Sequence, residues 1–301
     1  MKTLALFFHS ADFDGLGCYA VCRRWAEKNG FEVSAFPFNY GEAPESLESI
    51  LCFDLVFVGD VCLPAHYMKG LKAAGKLIWV DHHATAIADA EKEGFADALG
   101  LRRIGVGACE LSYEFFYPDQ EVPKVISMLS AYDVFDKERF DWDGLVLPFQ
   151  FGMRNHYGLD KELFYADYCG DGIGSFSFDN ILNEGRLILD YVRKTGYRSC
   201  LTYSFEVIVN EKYRALCMLT GTFGSIPMEA YAVENGYDII MNIGRVKFDS
   251  FKVSLFAANG IAPFDLGAYL KERYEGGGHH DAAGCNITKN RFFKLMTKCR
   301  F

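Results

Sequence analysis

Three short apolar runs near the start of the chain each end in acids or histidines. The run TLALFF passes into HSADFDG, which carries His9, Asp12 and Asp14; LVFVG ends at Asp60; KLIWV ends at Asp81, His82 and His83. Helical patterns alternate with these runs, in GLGCYAVCRRWAEK and AHYMKGLKAAG, and FEVSAF reads as a further strand. Strands alternating with helices predict an α/β fold with a mostly parallel open sheet flanked by helices. In such sheets, ligands bind beyond the carboxyl ends of the strands. Three separate segments are therefore expected to deliver carboxylates and imidazoles to one rim.

Taken singly, each acid has an ordinary reading. Asp12 and Asp14 sit just before a helical pattern, where aspartate commonly caps. All three clusters falling at strand ends together argue for a site. The adjacent pair His82 and His83 cannot share one face of a strand or of a helix. A loop leaving a strand can assign them different jobs: one binds metal, the other faces a substrate, and Asp81 orients the metal-bound ring. Carboxylate with imidazole suits manganese, zinc or iron rather than magnesium alone.

Further along, residues 106–131 read as two helical pieces split by YPDQEVP, and residues 136–177 give no clear assignment. FDNILNEGRLILDYVRK is amphipathic and reads as a connector helix. The strand-like runs SFEVIVN, YRALCML, YDIIMNI and FKVSLFA follow, suggesting a smaller C-terminal α/β domain. The expected division is a first domain over 1–177, a connector over 178–199 and a second domain over 200–301. In YEGGGHHDAAG, three glycines let backbone N–H groups approach an anion closely, and HDAAG opens either a helix or a strand.

The net charge of −9 argues against non-specific binding to long DNA, where phosphate contacts dominate. It leaves room for a phosphate substrate met through cations. None of the ten cysteines forms a C-x-x-C pair, which removes the zinc-ribbon and thioredoxin readings and favours free thiols in the cytoplasm. The N-terminal apolar run stops at His9 with no small-residue cleavage site after it, so it reads as a buried strand and not a signal peptide. No run approaches the length of a membrane span.

Together, VDHHAT, HSADFDG, VGD and GGGHHDAAG resemble the DHH phosphoesterase superfamily, in the branch with a DHH-associated C-terminal domain. That branch includes nanoRNA and oligoribonucleotide hydrolases, pAp phosphatases, cyclic-dinucleotide phosphodiesterases and RecJ-type single-strand nucleases. The resemblance implies two divalent metal ions, manganese foremost. His9, Asp12 and Asp60 would hold one; Asp14, Asp60, His82 and Asp133 would hold the other, with Asp60 bridging. Asp136 is the alternative to Asp133. His83 would face the scissile phosphate, and Gly276, Gly277, Gly278 and His279 would contact the substrate.

Two departures from the family pattern stand out. HSAD is one residue shorter than the corresponding stretch in many relatives. SLFA replaces a SLRS-like pattern, so Phe256 stands where many relatives have arginine. Phenylalanine cannot pair with phosphate but can stack on a base; Arg245 and Arg154 are candidates for the missing charge. The implied function is hydrolysis of short nucleotide substrates by metal-activated water. The expected partner is a short nucleotide or oligonucleotide, with a homodimer as one option and with neither long duplex DNA nor membrane. The alternatives are an inorganic pyrophosphatase or exopolyphosphatase, and a non-catalytic nucleotide-binding module. The ligand set is complete, which disfavours the module; the family's pyrophosphatases lack GGGH, which disfavours the other.

Overall fold

The computed structural model describes residues 2–40, 42–169, 178–220, 224–247, 249–296 and 299–300. Residues 170–177, part of the stretch the sequence leaves unassigned, lie outside them. The chain divides into two compact units, Met1–Ile188 and Leu189–Phe301.

In the first unit the elements run β1 (Lys2–His9), α1 (Phe13–Lys28), β2 (Phe31–Phe38), α2 (Leu47–Ile50), β3 (Leu55–Gly59), α3 (Ala65–Ala73), β4 (Leu77–Val80), α4 (Ala84–Glu93), α5 (Ala108–Phe116) and α6 (Lys124–Asp133). A π-helical turn (Trp142–Val146), α7 (Leu147–Tyr157) and α8 (Lys161–Cys169) follow, and then α9 (Phe178–Tyr203), within which the division falls. The four strands pair in the order β2-β1-β3-β4, all parallel. Side chains alternate across this sheet, as the strand period requires. Leu4, Leu6, Phe8, Phe57, Ile78 and Val80 pack on the face covered by α1, α5, α6, α7 and α8. Ala5, Phe7, Val56, Val58, Leu77 and Trp79 pack on the other, against Met68 and Leu71 of α3 and Ala90 of α4. Both faces are buried, which explains why the strands read as continuous apolar runs.

The second unit continues with β5 (Phe205–Val209), β6 (Tyr213–Met218), α10 (Glu229–Glu234), β7 (Ile239–Lys247), β8 (Ser250–Ala257), α11 (Leu266–Tyr274), β9 (Gly277–Gly278), β10 (Ala282–Thr288), α12 (Lys289–Met296) and β11 (Cys299–Arg300). Its sheet has the order β11-β5-β6-β7-β8-β10-β9, antiparallel except for β6 with β7. That single parallel pair is the one spanned by α10, since a parallel connection needs a crossover. HDAAG resolves as the start of a strand. Phe256 packs beside Leu216, Met218, Met228 and Ile240. Among the described residues, no helix is long and apolar enough to cross a membrane.

Candidate metal centre

Chain order and strand order diverge between β1 and β3, which places a switch-point crevice at their carboxyl ends. Phe8 pairs with Gly59, so the next residues, His9 and Asp60, leave the sheet side by side. Asp60 has a φ of 59°, a left-handed conformation that aspartate tolerates better than most residues. Its N–H donates to the Val80 carbonyl at 3.0 Å, which brings the end of β4, with Asp81, His82 and His83, to the same rim.

Asp12 is indeed a helix cap: its Oδ1 accepts from the Gly15 N–H at 3.0 Å. Gly15 is required there, because a Cβ would lie 1.8 Å from the His9 carbonyl oxygen. Asp14, in the first turn of α1, turns to the N-terminus of α5. Its Oδ2 accepts from Ala108 N–H at 2.6 Å and its Oδ1 from Cys109 N–H at 2.9 Å. A helix N-terminus favours an anion. Gly107 makes room for this, since a Cβ would come within 2.7 Å of Asp14 Oδ1 and of the Ser130 backbone.

These elements bring seven side chains together. His9 Nδ1 lies 3.0 Å from Asp12 Oδ2 and 3.5 Å from Asp60 Oδ2. His82 Nε2 lies 3.2 Å from Asp133 Oδ2, 3.3 Å from Asp60 Oδ1 and 3.7 Å from Asp14 Oδ2. Three overlapping ligand groups result, His9 with Asp12 and Asp60, Asp14 with His82 and Asp133, and Asp60 with His82 and His83, each with donor atoms within 4.8 Å of one another. Asp60 faces both His9 and His82, one oxygen toward each. Asp133 fills the fourth position. Asp136 instead turns its Oδ1 to the N–H groups of Glu138 and Arg139.

The donor set fits divalent cations. Among the described residues, His9 Nδ1, Asp60 Oδ1 and His82 Nε2 are buried and have no aligned hydrogen-bond partner. Buried polar atoms are normally paired by well-aligned hydrogen bonds; these two imidazole nitrogens and one carboxylate oxygen instead crowd into one cluster, which matches what a cation takes up. The charges agree. Burial, with the neighbouring charges of Asp14 and Asp12, holds the Asp60 carboxyl well above the usual range. Burial and the charges of Asp14, Asp60 and Asp12 do the same to Asp133. Burial opposes a charge on His9, yet Asp12 and Asp60 outweigh it and raise its pKa to about 10. Burial pushes Asp12 up as well, but its partnership with His9 wins and lowers it.

One expectation is revised. Asp81 does not orient the ring of His82. Its Oδ1 lies 2.8 Å from His83 Nδ1 and accepts from the N–H groups of His82 and His83 at 2.7 and 3.1 Å. His83 is the ring it fixes, and burial notwithstanding, Asp81 raises the His83 pKa. Sequence reasoning also missed Tyr40. Its ring stands edge-on to His9 and His83, with centroids at 6.2 and 6.1 Å, and is 54% exposed. Nothing in NYG marks it. The α5 N-terminus was missed too, although the glycine before the helix in GVGA was a usable signal.

Gly276, Gly277, Gly278 and His279 lie in the second unit. A Cβ at Gly276 would come 2.5 Å from the Gly284 carbonyl oxygen, and Gly278 has a φ of 141°; Gly277 has open space around its Cβ position. Two of the three glycines are thus explained by the hairpin itself. His279 is exposed, and His280 pairs with Asp281 at 2.8 Å.

The fold, a parallel α/β sheet followed by a mixed-sheet unit, is similar to that of several solved structures. One is described as the DHH domain of a member of the s1p family of ribosomal proteins and is 17% identical, with a TM-score of 0.53 over 99% of this chain and 85% of that one. RecJ from Thermus thermophilus in complex with Mn2+ is 16% identical, with a TM-score of 0.56 over 99% of this chain and 51% of that one. This chain therefore spans about half of that RecJ. Another structure, exonuclease RecJ bound to manganese, is 15% identical, with a TM-score of 0.54 over 99% of this chain and 89% of that one. An exopolyphosphatase-related protein from Bacteroides fragilis is 14% identical, with a TM-score of 0.55 over 98% of this chain and 90% of that one. No protein-family model and no curated protein matches the chain in sequence.

Proposed function

We propose that the chain is a phosphoesterase that uses two divalent ions, manganese foremost, to hydrolyse short nucleotide substrates. The observation that carries this is the set of three buried ligand atoms without an aligned hydrogen bond, within a cluster of carboxylates and imidazoles at the switch point. His9, Asp12 and Asp60 would hold one ion, and Asp14, His82 and Asp133 the other, with Asp60 shared. Two such ions, when bound, acidify water and offset charge on a phosphoryl group. His83, held by Asp81 at 2.8 Å, would donate a proton to the leaving oxygen. Gly276, Gly277, Gly278 and His279 take the task of contacting a substrate phosphate. The net charge of −9 favours a short substrate over long duplex DNA.

The test is a panel of dinucleotides, pAp, cyclic dinucleotides and pyrophosphate, each incubated with manganese and with excess chelator. Cleavage of a nucleotide that chelator abolishes is the expected result. Cleavage of pyrophosphate alone would move the reading to an inorganic phosphate substrate, and full activity in chelator would remove the metal from it.

A further inference from the structure

We propose that Tyr132, Phe135 and Trp142 form a stacking platform for a nucleobase of the substrate, built on the segment that carries Asp133. The proposal rests on the nucleotide phosphoesterase reading and adds the group that the site would use to hold the base. Asp133, the last residue of α6, lies between Tyr132 and Phe135 in the chain. Trp142 opens the π-helical turn and joins them. Its ring lies 5.9 Å from Tyr132 with planes 5° apart, and 5.9 Å from Phe135 with planes 27° apart. Tyr132 and Phe135 are 6.4 Å and 24° apart. Lys137 sets its ammonium 5.4 Å from the Trp142 ring centroid.

One feature separates this group from ordinary packing: Phe135 is 48% exposed, so its ring is not serving a core. Its φ of 55° marks it as the left-handed residue that ends α6, where Phe135 N–H donates to the Tyr132 carbonyl at 3.3 Å and Asp136 N–H to the Ala131 carbonyl at 2.9 Å. Asp136 Oδ1 caps the next turn. Arg139 then clamps Glu110 through two bonds of 2.7 Å, and Glu110 is buried in α5. The N-terminus of that same helix holds Asp14. The exposed ring is therefore fixed on the frame that fixes the proposed metal ligands.

Near-parallel rings offer π-faces to a planar base, and such stacking tolerates any base identity. Inorganic pyrophosphate and polyphosphate have nothing to stack. The platform therefore selects nucleotides as a class and does not read sequence.

Two readouts test this. With the manganese-loaded protein, adenosine 5′-monophosphate should quench the fluorescence that distinguishes the parent from Trp142→Phe, and ribose 5-phosphate should not. Trp25 and Trp79 are common to both proteins and cancel. On a dinucleotide, Trp142→Ala should raise KM about tenfold, the scale of losing one stacked base. On an abasic analogue KM should not move, and Trp142→Phe should recover most of the loss. Quenching without any hydrolysis would keep the platform and sink the phosphoesterase reading. Hydrolysis with no base-dependent quenching, or a KM rise equal on both substrates, would overturn the platform. A change in oligomeric state as the only effect of Trp142→Ala would overturn it as well, in favour of an interface between chains.

Discussion

Asp60 is asked to do two opposed things. It is buried among like charges, which destabilises its ionised form, and its two oxygens face the two ligand groups. Asp60→Asn keeps the volume, and asparagine also tolerates a left-handed φ. The metal-free variant is therefore expected to be more stable than the metal-free parent, while hydrolysis falls by orders of magnitude. Thermal melts in chelator alongside rate measurements check this; a less stable variant would contradict the account of the charge. His83 gives a second prediction. Asp81 supports its positive charge, so Asp81→Asn should lower the His83 pKa and move the alkaline limb of the rate profile to lower pH. Metal content should hardly change. An unmoved limb would mean that His83 does not act as the acid. At this scale the sequence was legible where residues follow strands, as His9, Asp60 and His82 do. It was silent on Tyr40 and on the Asp81–His83 pairing, because both depend on where loops fold back.

The elements that position these residues lean on two close approaches. Gly15 lets α1 start against the end of β1, and Gly107 lets α5 present its N-terminus to Asp14. Gly107→Ala forces a Cβ into Asp14 and Ser130, and overpacking of this kind costs about 1–3 kcal/mol. The variant should melt earlier and bind metal more weakly. Gly15→Ala meets backbone and should be worse. Calorimetry and metal analysis on both would decide; a Gly107→Ala variant with parental metal affinity would show that α5 does not support the site. Strands β1 to β8 and α1, α3, α5 and α6 were readable from their patterns, while β9, β10 and β11 were not. The region of α7 was not, for a physical reason. Leu147 to Met153 are all buried, so the helix has no polar stripe to reveal its period, and its apolar residues alternate as a strand would. The π-helical turn before it has no sequence signature at all.

For the whole molecule, the raised pKa values become a dependence of stability on pH. Asp60 and Asp133 are raised, so their contribution to the metal-free fold is complete below the ordinary carboxylate value of about 4 and is lost as pH rises through their folded values. His9 is raised from 6.5 to about 10, so its contribution is present below 6.5 and lost on approaching about 10. Asp12 runs the other way: it is lowered from 3.8, and its contribution is lost only as pH falls through its folded value. Chelated protein should thus lose stability between mildly acidic and alkaline pH. Manganese binds the ionised carboxylates, so melting temperatures with and without it should diverge as pH rises. Parallel curves would mean that the cluster is not a metal centre.

The division of labour between the units makes a sharper claim still, since every proposed ligand lies in Met1–Ile188 and His279 does not. The direct measurement is a calorimetric titration of Mn2+ into chelated parent, His82→Ala and His279→Ala. The account predicts two ions for the parent and for His279→Ala, and fewer or much weaker ions for His82→Ala. No binding to the parent, or equal losses in both variants, would contradict it.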